Sequence, residues 1–444
     1  MNKILMLGII LSFTLSSVVC HAANFKHNEG LITAYEMRLQ ENEIFDYLAL
    51  EDNMEEVTID PNPLIESRIE QNKIQEAAEV VDNATSEFSV FDSFIDKDRK
   101  NDHPLKIEEE SLFGKIFKMQ VERTDVATHL LQDELTFEIN KGPINKIWLY
   151  GAYQGNLINN WQSSDHDTNY RWGFMDVGII ASTKDPNTTI RIHTSQRPDV
   201  HMNYFKNMFT DVYVMNTRIP NHRIIIGNSR NQVGVEGGSG AFTLPFAARS
   251  QISRTFGNTR ALGMRIVGNY SLVDYDLAFN SSDRFWRQFF PGAEFTGWLN
   301  FKPLGKTDGK YGKLIMGGGI NAGKNDNTYT VGGAYIGYTY KKFMANFEYS
   351  IADGYNGIVQ STNKASGFYT TLGYKITPKI QLIARYDQFD PNRDIANDKR
   401  EEITAGINYF VKGQAIRLIL NYVYCINKNG PDSNRLILGT QFLL

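Results

Sequence analysis

The chain lacks most of the features that would place it in a common soluble or membrane class. Two cysteines in 444 residues exclude a disulfide scaffold and any multi-cysteine zinc site. After the first twenty residues no stretch is apolar enough for a membrane helix, which needs about 20 consecutive apolar residues. A polytopic helical membrane protein is thereby excluded. Net charge is also small, -4. What is abundant is aromatic: 27 Phe and 22 Tyr, far too much apolar surface for a disordered chain. A large soluble β-rich protein or a transmembrane β-barrel remains.

The first residues indicate export. Lys3 precedes an apolar run from Ile4 to Val19, and Cys20 and Ala22 sit at small-residue spacing. The pattern predicts a signal peptide over 1–23. Cys20 follows the bulky Val19, a poor lipoprotein box, and the mature chain would keep Cys425 alone.

The small net charge hides two opposite regions. Residues 24–112 hold 23 Asp and Glu against 8 Lys and Arg, whereas residues 113–444 hold 27 against 37. Such asymmetry points to regions with different partners. Helical spacing runs from Leu64 to Val81 behind Pro63, and again from Glu109 to about Leu131. The first region therefore reads as an acidic, mostly helical or partly disordered periplasmic extension over 24–112. A connecting segment over 113–145 follows.

From Lys146 to Leu444 the period changes to two. In Ile380–Asp387, Ile380, Leu382, Ala384 and Tyr386 share one face, and Gln381, Ile383, Arg385 and Asp387 the other. Such alternation sets one face in an apolar medium and the other in water. Sixteen strand candidates begin near residues 146, 170, 186, 208, 222, 260, 272, 293, 311, 327, 342, 365, 379, 399, 414 and 435. Short connections such as Lys184–Asn187 and Thr377–Lys379 alternate with long ones such as Asn156–Asn169, Arg197–Asn207 and Asp353–Lys364. That asymmetry predicts an all-β, antiparallel transmembrane barrel of about 16 strands. A barrel so wide leaves a water-filled channel. The longest connection, Arg230–Asn258, carries Gly234, Gly237, Gly238 and Gly240, then Leu244–Pro245–Phe246. Connections of that length are usually functional or disordered, and the functional form folds inward to narrow the pore.

Several motifs carry a family resemblance. Asp211–Val212–Tyr213, Arg223–Ile224–Ile225–Ile226–Gly227, Leu244–Pro245–Phe246 and Arg260–Ala261–Leu262–Gly263–Met264 stand in order, followed by Tyr275–Asp276–Leu277–Ala278–Phe279–Asn280. Ala384–Arg385–Tyr386–Asp387–Gln388–Phe389–Asp390–Pro391 and Gly406–Ile407–Asn408–Tyr409–Phe410 come later. Over roughly 145–444 the chain resembles the phosphate-selective porin O and P family. The resemblance implies an outer-membrane porin whose partners are membrane lipid, small anionic solutes and two further copies in a homotrimer. The chain departs from the family by ending in Leu444 rather than Phe, and the family's basic phosphate cluster has no residue-by-residue match.

Alternation places Arg191, Arg223, Arg265, Arg385 and Arg417 on polar, channel-facing sides. With Arg230, Arg249 and Arg254 on the long connection they form a candidate anion path. Arginine suits the task because its charge is permanent and its planar fork binds carboxylate or phosphate oxygens. Rings of Arg or Lys are how pores select anions. The plainer alternative is that these arginines pair with Asp211, Asp274, Asp276, Glu348 and Asp387 and brace the wall.

Enzymatic signatures are weak. Gly237–Gly238–Ser239–Gly240–Ala241 misses the last glycine of a nucleophile elbow. Gly317–Gly318–Gly319 lies in a strand pattern with no helix after it. Asp165–His166–Asp167 reads as a solvated loop rather than a metal site. No cofactor, metal or nucleic acid is expected. The leading expectation is an outer-membrane channel for small anions, phosphate being one candidate. The alternative is a structural anchor whose acidic region, 24–112, contacts the cell wall or a periplasmic partner.

Overall fold

The computed structural model describes residues 129–131, 134–139, 142–163, 165–196, 208–284, 288–307, 309–428 and 430–444. The expected signal peptide, the acidic segment and the connection Arg197–Asn207 lie outside the described residues. So do both helical candidates, except at 129–131. At Leu130–Leu131 the chain makes a turn, and the Leu130 N–H donates to the carbonyl of Leu443 at 2.9 Å.

A short strand, β1 (Thr136–Glu138), pairs with the start of β2 (Ile144–Gln162). Strand pairing thus starts inside the segment expected to be only a connector. The ring continues through β3 (Asp165–Thr183), β4 (Thr188–Gln196), β5 (Phe209–Asn216) and β6 (His222–Arg230). After the long connection come β7 (Arg260–Asn269), β8 (Val273–Ser281), β9 (Ala293–Phe301) and β10 (Lys313–Lys324). Next are β11 (Thr328–Tyr340) and β12 (Phe343–Asp353), then a small hairpin of β13 (Tyr355–Asn356) and β14 (Gln360–Ser361). The last five are β15 (Ser366–Thr377), β16 (Ile380–Asp390), β17 (Arg400–Lys412), β18 (Ile416–Asn427) and β19 (Ser433–Leu443). Each ring strand pairs antiparallel with its neighbours, and β19 closes on β2 with Thr440 opposite Gly155. Leaving aside β1 and the small hairpin, sixteen strands make the closed barrel.

Closure removes the edges of the sixteen-stranded ring, and period two then decides which side chains face in. Along β19 Leu438 is 49% exposed, whereas Gln441 is fully buried. On β6 Ile226 is 60% exposed while Ile225 is buried, and on β9 Leu299 contrasts with Asn300 in the same way. The outer surface is an apolar belt, and the polar faces turn inward. Barrel cores of this width cannot be filled by wall side chains alone, so whatever enters the interior decides what passes.

The connection expected over Asn156–Asn169 is instead a continuous ladder. Asn156 pairs opposite Arg171 and Gln162 opposite Asp165, with Ser163 at the tip at φ 54°. Ladder hydrogen bonds belong to the backbone, so a polar, Asn-rich stretch extends a hairpin as readily as an apolar one. Asp165–His166–Asp167 accordingly sits in β3, opposite Asn160–Gln162, rather than in a loop.

Candidate functional site

Residues 231–259, between β6 and β7, turn into the barrel. They form α1 (Val235–Gly238), a 3-10 turn at Ala241–Thr243 and α2 (Gln251–Thr255). Three apolar contacts fix them. Ile252 and Phe256 pack with Ala352, Tyr369 and Phe389. Val235 joins Val267, Trp298 and Tyr335, and Phe242 joins Ala152, Phe174 and Leu443. Full burial of one such side chain contributes about 1.5–3 kcal/mol.

Side chains of the wall then satisfy the loop's backbone. The Glu348 carboxylate accepts from the N–H groups of Val235 at 2.9 Å and Glu236 at 3.2 Å. Asp387 accepts from the N–H of Gln251 at 2.8 Å, and Asn421 from that of Ala247 at 2.9 Å. Asn408 donates to the Pro245 carbonyl at 2.9 Å, Arg417 to that of Leu244 at 2.7 Å and Gln441 to that of Phe242 at 3.2 Å. A buried backbone group left without such a partner is costly. These contacts draw the loop against β12 and β15 to β19.

Four of the eight arginines expected in the anion path stand at this seam. Arg249 donates to the carbonyls of Glu236 and of Ser239, the latter at 2.7 Å. Arg254 pairs with Glu402 at 2.9 Å. Arg385 lies 3.5 Å from Glu236 and over the Phe246 ring, 4.5 Å from its centroid. Arg417 is wholly buried. Arg254, Arg385 and Arg417 tie the loop to the wall, and Arg249 ties the loop to itself.

The other four meet on the opposite side of the loop. A cavity of about 200 Å³ lies between the loop and strands β3 to β7, lined by Arg191, Arg223, Arg230 and Arg265. Arg260 joins them. Asp211 is shared, 3.0 Å from Arg260 and 3.5 Å from Arg191. Asp276 takes the Nε–H of Arg265 at 2.8 Å, and Arg265 also donates to the Arg230 carbonyl at 2.7 Å. Arg230 donates to Asn258 at 2.9 Å. The Tyr150 hydroxyl bridges Arg191 and His193, at 3.1 and 2.7 Å, and His193 faces Asp176 at 3.5 Å. Among the described residues, five guanidiniums against Asp176, Asp211 and Asp276 leave positive charge in excess. In a narrow, low-dielectric passage such an excess acts over the whole width.

Arg260 escaped the sequence reading because strict alternation, counted from Arg265, assigns it to the outer face. At the end of β7 next to the loop, Thr259, Arg260 and Ala261 are all buried. Both faces are covered there, and period two stops being informative.

Residues 228–435 match the model of the phosphate-selective porin O and P family. The porin match runs from the end of β6, through the inward loop, into β19. Among solved structures the chain is similar to Salmonella typhi OmpF in complex with daunomycin. That likeness has a TM-score of 0.50 and 13% identity, and covers 69% of this chain and all of that one (100%). It shows the barrel fold. A loop-deletion mutant of OmpT, an outer membrane protein of Vibrio cholerae, gives a TM-score of 0.49 at 12% identity, covering 67% of this chain and 99% of that one. An uncharacterized protein of Aquifex aeolicus (strain VF5) is 32% identical over 77 residues, 16% of this chain. The matched stretch spans 19% of that relative's length.

Proposed function

We propose that the chain is an outer-membrane channel for passive diffusion of small, preferentially anionic solutes, with phosphate as the candidate that the family description supplies. One observation supports the reading: an inward loop, held by wall side chains, leaves a cavity beside β3 to β7 whose described lining holds more guanidinium than carboxylate. The outward apolar belt supports a place in lipid. Passage needs no bond chemistry, so this is a channel reading and not an enzymatic one. The resemblance further implies a homotrimer, which the mass of the detergent-solubilised protein checks.

The deciding experiment is a reversal potential across a planar bilayer under a potassium chloride gradient. An anion preference is expected. A cation preference overturns the selectivity, and a silent bilayer favours the anchor whose acidic segment contacts the cell wall or a periplasmic partner.

A further inference from the structure

Resting on that reading, we propose that the passage takes organic anions with a compact apolar body, aromatic carboxylates foremost, in preference to inorganic phosphate. The basis is that the lining is only half cationic. Met215 and Ile225 stand directly opposite each other in the β5–β6 register and both face the cavity. Ile225 is in turn opposite Arg265, and Arg223 is opposite Val267. One row up, Arg191 is opposite Tyr213. An apolar pair is therefore bracketed by guanidiniums along and across the strands. Phe174 of the wall and Phe242 of the loop also line the space, edge to face with centroids 6.4 Å apart.

This arrangement penalises a small hydrated anion. Against Met215, Ile225 and Phe242 it sheds water and finds no donor in exchange. The guanidiniums return only part of that loss, because Asp211 and Asp276 already occupy several of their N–H groups. An aromatic carboxylate meets both halves of the lining. Its carboxylate takes the guanidinium fork, and its ring lies against aromatic edges and the Met215 thioether. The cavity of about 200 Å³ falls below the roughly 300–1,000 Å³ of drug-sized sites, which suits one ring and not an extended molecule.

The test uses the full chain in planar bilayers and reads block of the chloride current by sodium benzoate, sodium acetate and sodium phosphate. Benzoate is expected to half-block at a concentration roughly tenfold below the other two, the factor that burial of a few apolar atoms supplies. Benzyl alcohol, which has the ring without the charge, is expected not to block. The double variant Met215→Gln/Ile225→Thr should bring the benzoate and acetate values together. If that variant does not insert, the ratio in the unaltered protein decides. Benzoate no more effective than acetate and phosphate, in a channel that still prefers anions, overturns this inference alone. A cation preference in the chloride gradient overturns the proposed function beneath it.

Discussion

The Arg417 guanidinium donates to the Leu244 carbonyl at 2.7 Å, joining residues 173 positions apart. Its other arm donates to Gln441 at 2.9 Å, and Gln441 donates on to Phe242. Two adjacent strands, β18 and β19, thereby grip one stretch of the inward loop. The site is wholly buried, so these bonds have no water to replace them.

Arg417→Met keeps the apolar stem and removes the donors. The Leu244 carbonyl and the Gln441 side-chain oxygen are each left with a donor fewer, at about 1–3 kcal/mol per buried unsatisfied group. The barrel should still insert, with higher and noisier single-channel conductance as the loop loosens. Conductance and noise equal to those of the unaltered protein would show that the apolar contacts suffice.

Gly234 tests the same clasp from the loop side. Its φ of 74° lies where side chains are rarely tolerated, and a β-carbon there would collide with the Glu348 carboxylate. That carboxylate holds the N–H groups of Val235 and Glu236. Gly234→Ala is expected to release the start of the loop and raise conductance. A Gly234→Ala channel that conducts normally, in a protein that inserts normally, would mean the clasp is dispensable.

Charge reversal should separate the two groups of arginines. Arg223→Glu/Arg230→Glu alters the cavity lining and is expected to move the reversal potential toward cation preference. The shift should shrink at high salt, as the Debye length falls from about 10 Å at 0.1 M to about 3 Å at 1 M. Arg249→Glu/Arg254→Glu puts carboxylates against the Glu236 and Ser239 carbonyls and against Glu402. That pair should loosen the loop and change conductance more than ion preference. Equal effects of both pairs on the reversal potential contradict the division.

On the outer surface the strand register is open to direct test. Leu438 faces outward and Gln441 inward beside Arg417. Leu438→Arg places a cation against lipid at about 2–4 kcal/mol near the bilayer midplane. Gln441→Glu keeps an acceptor for the Arg417 guanidinium and places no charge against lipid; it gives up the N–H donated to the Phe242 and Gln414 carbonyls, which loosens the loop rather than blocking insertion. The heat-modifiable folded band on gels should be depleted for the first and retained for the second; equal yields refute the register.

What the sequence by itself determined is the barrel. Sixteen strands, their approximate starts and their two faces follow from period two, a local property that the backbone imposes on any residue pattern. The Ile380–Asp387 faces read from the residues recur in the structure, with Gln381, Ile383, Arg385 and Asp387 turned inward. Legible too was the long connection as the segment that enters the pore. Tertiary structure alone decided what each arginine does. Arg385, Arg417, Arg191 and Arg265 all sit on inward faces, yet the first two meet the loop and the last two meet the open cavity. Which side the loop leans on depends on contacts such as Glu348 with Val235 and Arg417 with Leu244, between residues more than a hundred positions apart. No periodicity within a strand encodes a pairing at that distance, because it arises only once the ring has closed around the loop.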